Sequence, residues 1–131
     1  MPMNAPHSRC RGIRGATTAA ENTAASILEA TAELLSRLTS ANQIEIEDTA
    51  AIFFTATPDL DATFPARAAR DLGYVNVPLM CSQEIPVPEA PPRCIRVLML
   101  VNTSKGIEEM VHVYLRGAAS LRSDLNPARS G

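Results

Sequence analysis

Two arginines stand where a strand should be apolar. Arg96 interrupts Cys94-Ile95-Arg96-Val97-Leu98-Met99-Leu100-Val101, the most hydrophobic run of the chain, and Arg14 sits between two glycines in Arg11-Gly12-Ile13-Arg14-Gly15-Ala16-Thr17-Thr18. A buried guanidinium without a partner costs several kcal/mol, so each arginine requires a carboxylate or a pocket that receives an anion. One such arginine is most simply paired with one of the 14 acidic residues. Two of them, with Arg67 and Arg70 three residues apart elsewhere, favour a pocket for a carboxylate, which guanidinium binds with two parallel hydrogen bonds. Strands would hold Cys81, Glu84 and Tyr114 equally rigidly. This set offers cations, hydroxyl or thiol donors and one carboxylate acceptor. It contains no histidine base, carboxylate dyad, Ser/His pair or metal-ligand cluster, so it suits charge stabilisation rather than hydrolysis.

The elements that must position these groups are legible as periodicity. Residues 9–18 read as a first strand. Thr23 caps a helix over roughly residues 24–40, whose Ile27, Thr31, Leu34, Leu35 and Leu38 form one apolar face. Residues 50–56 suit a buried strand, broken by Thr57-Pro58-Asp59. A short helix follows around residues 64–72, with Arg67 and Arg70 on one face and Gly73 at its end. Residues 75–82 read as a strand and the four prolines of residues 85–92 as an extended loop. The Arg96 segment is apolar on both alternating faces, which predicts a central strand. A last strand over residues 110–116 would place His112, Tyr114 and Arg116 on one face by period two. The expected architecture is α+β, a mixed sheet packed against one long and one short helix, forming a single domain over residues 9–125 with flexible tails at 1–8 and 126–131.

Composition bounds the partners. The chain has 131 residues, 46% of them hydrophobic, with no Trp, so its core draws on Ala, Leu, Ile, Val and Met. A net charge of −2 argues against nucleic acid as a partner. No apolar run approaches a membrane span. Three cysteines with no framework spacing, and no signal-like stretch after Met1, fit a cytoplasmic protein with reduced thiols. The two histidines, His7 and His112, lack zinc-site spacing, and no phosphate-binding glycine loop is present. Eleven of the 12 basic residues are Arg; in an Ala-rich chain codon bias explains much of that imbalance but not the positions of Arg14 and Arg96.

Taken in order, RGIRGATT (11–18), ATPDL (56–60), FPARAAR (64–70), CSQE (81–84), RCIRV (93–97), HVYL (112–115) and LRSDL (121–125) resemble the small trimeric chorismate mutases of the AroH type. The likeness covers almost the whole chain, and the set is far more specific than any one segment. It implies a homotrimer whose sheets form a pseudo-barrel core, with an active site in each cleft between adjacent subunits. Catalytic roles then fall to Arg96, Arg14, Glu84, Cys81 and Tyr114 on one subunit's wall. Substrate contacts fall to Phe64, Ala66, Arg67 and Arg70 on the neighbour's wall, with Leu79, Met80 and Arg122 completing the pocket. The match of Arg96 bridges the ether oxygen and side-chain carboxylate of chorismate. The matches of Arg14 and Tyr114 aid that carboxylate, and the match of Glu84 accepts from the ring hydroxyl, with Cys81 close by.

The implied activity is the intramolecular conversion of chorismate to prephenate, in the route to phenylalanine and tyrosine, with no cofactor and no metal. The departures from the family pattern are modest: Arg at position 67 where Lys occurs, Met80 in place of a smaller polar residue, a loop after Leu72 shorter by one, and Ser123 where Pro is common. Singly, Cys81 and Phe64 read as core packing, Tyr114 as an edge residue and Glu84 as a counter-ion; their joint order reverses that. Two other readings compete. A trimeric imine or enamine deaminase also uses a carboxylate-binding arginine in a subunit cleft but must position a water. A carboxylate sensor would bind without turnover.

Overall fold

The computed structural model describes residues 7–121. The expectations for Arg122, Ser123 and the terminal tails beyond these bounds lie outside the described residues. Five strands form one sheet in the order β3-β2-β4-β1-β5: β1 Arg9–Thr18, β2 Thr49–Ala56, β3 Leu79–Gln83, β4 Cys94–Thr103 and β5 Val113–Tyr114. β4 lies in the middle and runs antiparallel to both β1 and β2. The outer pairs β2–β3 and β1–β5 are parallel. The sheet is therefore mixed, as its sequence pattern predicts, and the Arg96 strand is central.

One face of this sheet makes the core. Ile95, Val97, Met99 and Val101 of β4, with Ile13 of β1 and Ile52 and Phe54 of β2, are buried against helix α1, Ala24–Asn42. α1 contributes Ile27, Thr31, Leu34, Leu35 and Leu38, the stripe its 3.6-residue spacing predicts, and each is fully buried. Thr23 caps it by accepting from the Ser26 N–H at 3.1 Å. The helix runs two residues past the expected end, because its stop is Gln43 in the left-handed conformation (φ 55°), a position with no glycine to announce it. Helix α2 is Ala66–Asp71, shorter than residues 64–72, and Gly73 follows at φ 109°.

Two expected strands are shorter than predicted. Of residues 75–82, only the part from Leu79 pairs with β2, since Pro78 offers no N–H and its carbonyl accepts from Ile52 N–H at 3.0 Å. Of residues 110–116, only Val113 and Tyr114 form a strand. Before it, the buried Asn42 at the end of α1 clamps Val111 through both amide atoms, at 2.8 Å each. After it, Arg116 turns away at φ 52° and reaches Glu33 on α1 at 3.0 Å. His112, Tyr114 and Arg116 thus do not share one strand face.

Gly15 fixes how closely β1, α1 and β5 meet. A Cβ there would lie 2.9 Å from the Val113 carbonyl oxygen, 2.9 Å from Leu34 Cδ1 and 3.0 Å from Leu38 Cδ1. Leucine tips can shift, but the carbonyl belongs to β5 and moves only with it. Gly15→Ala is expected to destabilise the fold by about 1–3 kcal/mol, the usual scale for overpacking. Urea denaturation should show a lower midpoint with an unchanged slope.

Candidate active site

Strand pairing alone places the two arginines side by side. Arg14 faces Leu98 and Arg96 faces Ala16 across the β1–β4 ladder, so the arginines are diagonal neighbours on the face opposite α1. Such neighbours lie roughly 7–8 Å apart in a sheet, a spacing that two guanidinium groups can close onto one small dianion. On the same face, Thr55 of β2 lies opposite Arg96, Ser82 of β3 lies beside Thr55, and Tyr114 of β5 lies beside Ala16. Glu84, two residues beyond Ser82, keeps that parity, and its N–H continues the ladder to the Ala56 carbonyl at 2.8 Å. Arg14, Thr55, Glu84, Arg96 and Tyr114, with Phe53 and Leu98, line one cleft of about 360 Å³.

Within the cleft Arg96 Nε lies 3.3 Å from Glu84 Oε2, and the Thr55 hydroxyl donates to that same oxygen. The Arg96–Glu84 contact is an ion pair by distance but is not aligned as a hydrogen bond, which leaves Nε among the buried side-chain atoms without one. With side chains 33% and 23% exposed, such a pair contributes little net stability. Its consequence is orientation: Glu84 occupies the Nε side of the guanidinium, and the terminal nitrogens are left for a ligand. Arg14 forms no ion pair with any carboxylate among the described residues. Tyr114 is 5% exposed, packed with Ala16, Cys94 and Ala118, and its hydroxyl has no hydrogen-bond partner among the described residues. Of the three buried side-chain atoms left unsatisfied among the described residues, two, on Arg96 and Tyr114, therefore belong to this cleft. An unmet buried donor is expensive unless a ligand meets it.

The other predicted residues lie elsewhere. Cys81 pairs with Phe54 and shares its face, opposite to Arg96. The grouping of Cys81 with Arg14, Glu84, Arg96 and Tyr114 on one wall is therefore corrected for the single chain. Three residues separate Cys81 from Glu84, and an odd separation sends strand side chains to opposite faces. Cys81 instead joins Phe64 and Arg67 around a second cleft of about 630 Å³, bounded by residues 56–58 and 60–65. Burial pushes the Cys81 thiol up despite the opposing Ala66 N–H and Arg70 charge, so it is a neutral donor and not a thiolate nucleophile. Phe64 is 66% exposed at the rim, and Arg67 and Arg70 are exposed on α2. Asn22 holds the approach to α2, accepting from the Asp61 and Ala62 N–H groups at 3.0 and 3.1 Å. Ala66 is buried in the core, Leu79 packs against it, and Met80 is exposed on the Arg96 face beside Phe53. None of these three lines either cleft.

Sequence reasoning missed Thr55 and the role of His112. Thr55 follows from period two once the β2–β4 register is known, but the register is not written in either strand. His112 accepts the Arg14 backbone N–H at its Nδ1, 3.0 Å away.

The arrangement can bind a small dianion and hold positive charge and hydroxyl donors against it. A family model described as "Chorismate mutase type I" matches residues 10–125. The chain is 50% identical over 120 residues to chorismate mutase AroH of Thermus thermophilus, covering 91% of this chain and 98% of that protein. It is 44% identical over 117 residues to chorismate mutase AroH of Bacillus subtilis strain 168, covering 88% and 92%. Among solved structures, a chorismate mutase from Clostridium thermocellum superposes with a TM-score of 0.83 at 49% identity, covering 84% of this chain and 98% of that one. With the fold and most of the chain's length in agreement, the chain belongs to the type I chorismate mutases.

Proposed function

We propose that this chain rearranges chorismate to prephenate, as a cytoplasmic homotrimer with each active site built from the walls of two subunits, in the route to phenylalanine and tyrosine. The observation that carries the reading is the convergence of Arg14, Arg96, Glu84 and Tyr114 on one cleft, with the buried Tyr114 hydroxyl left without a hydrogen bond among the described residues. Arg14 and Tyr114 hold the carboxylate of the enolpyruvyl side chain, which keeps that chain folded over the ring in its reactive conformation. Glu84, steadied by Thr55, accepts from the ring hydroxyl. Breaking the ether bond concentrates negative charge on its oxygen. The free end of the Arg96 guanidinium meets that charge more strongly in the transition state than in the ground state, and this difference is the catalysis. The rearrangement moves no proton and forms no bond to the protein.

The intersubunit site has its own support. In one chain, Arg96 and Cys81 lie on opposite faces of the sheet, and the two clefts share no lining residue. The sheet face opposite α1 exposes Phe53 at 37%, Leu98 at 38% and Met80 at 57%, an apolar surface that packing against other subunits would cover.

A deaminase must activate water and deliver a proton, and the titratable groups of the Arg96 cleft are Arg14, Glu84, Arg96 and Tyr114, without a histidine. The two readings diverge in pH dependence. The expected kcat on chorismate is nearly flat between about pH 6 and 8, where an ordinary histidine would titrate. Solvent deuterium should leave it almost unchanged. A bell-shaped kcat profile with a large solvent isotope effect would overturn the pericyclic mechanism.

A further inference from the structure

We propose that His112 is a positioning residue for the Arg96 cleft: its neutral imidazole takes the Arg14 backbone N–H at Nδ1 and so sets the stance of Arg14 and Tyr114. The inference rests on the functional reading above and concerns how the same site is held. β5 is only two residues long and runs parallel to β1, paired at Gly15–Val113 and Ala16–Tyr114. The Leu115 N–H extends the pairing by one bond to the Ala16 carbonyl at 2.9 Å. Towards Arg14 the strand has ended, and the His112 ring stands in for the missing backbone acceptor at 3.0 Å. The ring thus bonds to the backbone of one cleft residue and lies two positions from the other. Asn42 holds the segment from behind by gripping both the N–H and the carbonyl of Val111. The result is a continuous support from the end of α1 through Val111 and His112 to Arg14.

Such a support requires an unprotonated Nδ1, because an imidazolium would set a second donor against the Arg14 N–H. The surroundings favour the neutral ring. His112 lies with Arg37 of α1 and with Tyr114 along a cavity whose lining holds no carboxylate, and Arg14 faces it from β1. Burial first, and the Arg14 charge second, push His112 below its ordinary value of 6.5. The sign follows: below that value the unfolded chain binds the proton more readily than the folded one, so acidification weakens both the fold and the hold on Arg14. This acid limb lies on the acid side of the ordinary histidine value.

The test uses the full-length protein, His112→Asn and His112→Ala. The Asn carbonyl oxygen can occupy the place of Nδ1 and accept the same N–H without titrating. The wild type should lose kcat/KM on the acid side of the ordinary histidine value of 6.5, in step with the ring signals of His112 followed by NMR. H112N should keep kcat/KM near the wild-type value at pH 7.5 and lose that limb. H112A should fall about five- to tenfold at pH 7.5, the scale of one hydrogen bond to a site residue. An unchanged acid limb in H112N, or H112A at wild-type kcat/KM, would overturn the inference. Absence of chorismate turnover in the wild type would overturn the functional reading instead, and the Arg14 amide in the same samples then decides. A shift in step with the His112 ring supports the inference, and a pH-invariant amide overturns it.

Discussion

Arg96→Lys is expected to lower kcat by a factor on the order of a hundred or more, comparable to removing one oxyanion donor, while the fold stays intact. The geometry explains why keeping the charge is insufficient. In the proposed mechanism Arg96 serves two partners at once, Glu84 through its Nε, 3.3 Å away, and the substrate through its terminal nitrogens. Lysine presents one nitrogen on a flexible stem and cannot fork between Glu84, a carboxylate and an ether oxygen. Retention of the fold follows from the position of the side chain, on the face away from the core and one-third exposed. Thermal denaturation should therefore separate a loss of chemistry from a loss of structure. Near-wild-type turnover would remove Arg96 from the reaction.

Mixing two dead variants should restore activity. In the proposed trimer, Arg96→Ala removes one wall of the site and Arg70→Ala the other, and each variant alone should be nearly inactive. In a ring of three, any mixed trimer contains one cleft that draws Arg96 from one subunit and Arg70 from its neighbour. Random equal mixing should then recover about a quarter of wild-type activity, from the count of mixed rings and of clefts in each. The structural basis is the opposite facing of the two walls within one chain, with Arg96 on one sheet face and Cys81, beside the α2 arginines, on the other. Well-mixed trimers with no recovery would locate each site within one chain.

Much of this fold is legible in the sequence because its periodicities are undisturbed. The α1 stripe is read correctly since all five of its residues meet one continuous sheet face. The central place of β4 is legible too, although its second face is only half covered within the chain, where Leu98 is 38% exposed. Register is what the sequence withholds. Thr55 is an ordinary residue at the end of an apolar run until pairing sets it opposite Arg96. Cys81 and Glu84 are neighbours in a motif, and reading them as one wall overlooks the odd spacing that separates them across the sheet. The last strand is overextended for a different reason. His112, Tyr114 and Arg116 alternate as a strand would, but a side-chain bond to β1 and an ion pair with α1 claim the outer two. Tertiary partners of that kind leave no trace in a pattern of hydrophobicity.

The most direct measurement is to give the purified protein chorismate alone, follow its disappearance by ultraviolet absorbance and identify the product by NMR. The account predicts stoichiometric prephenate at a rate far above the spontaneous reaction, without added metal or cofactor. Chorismate that disappears no faster than in buffer, or a product that has gained the elements of water, would contradict it.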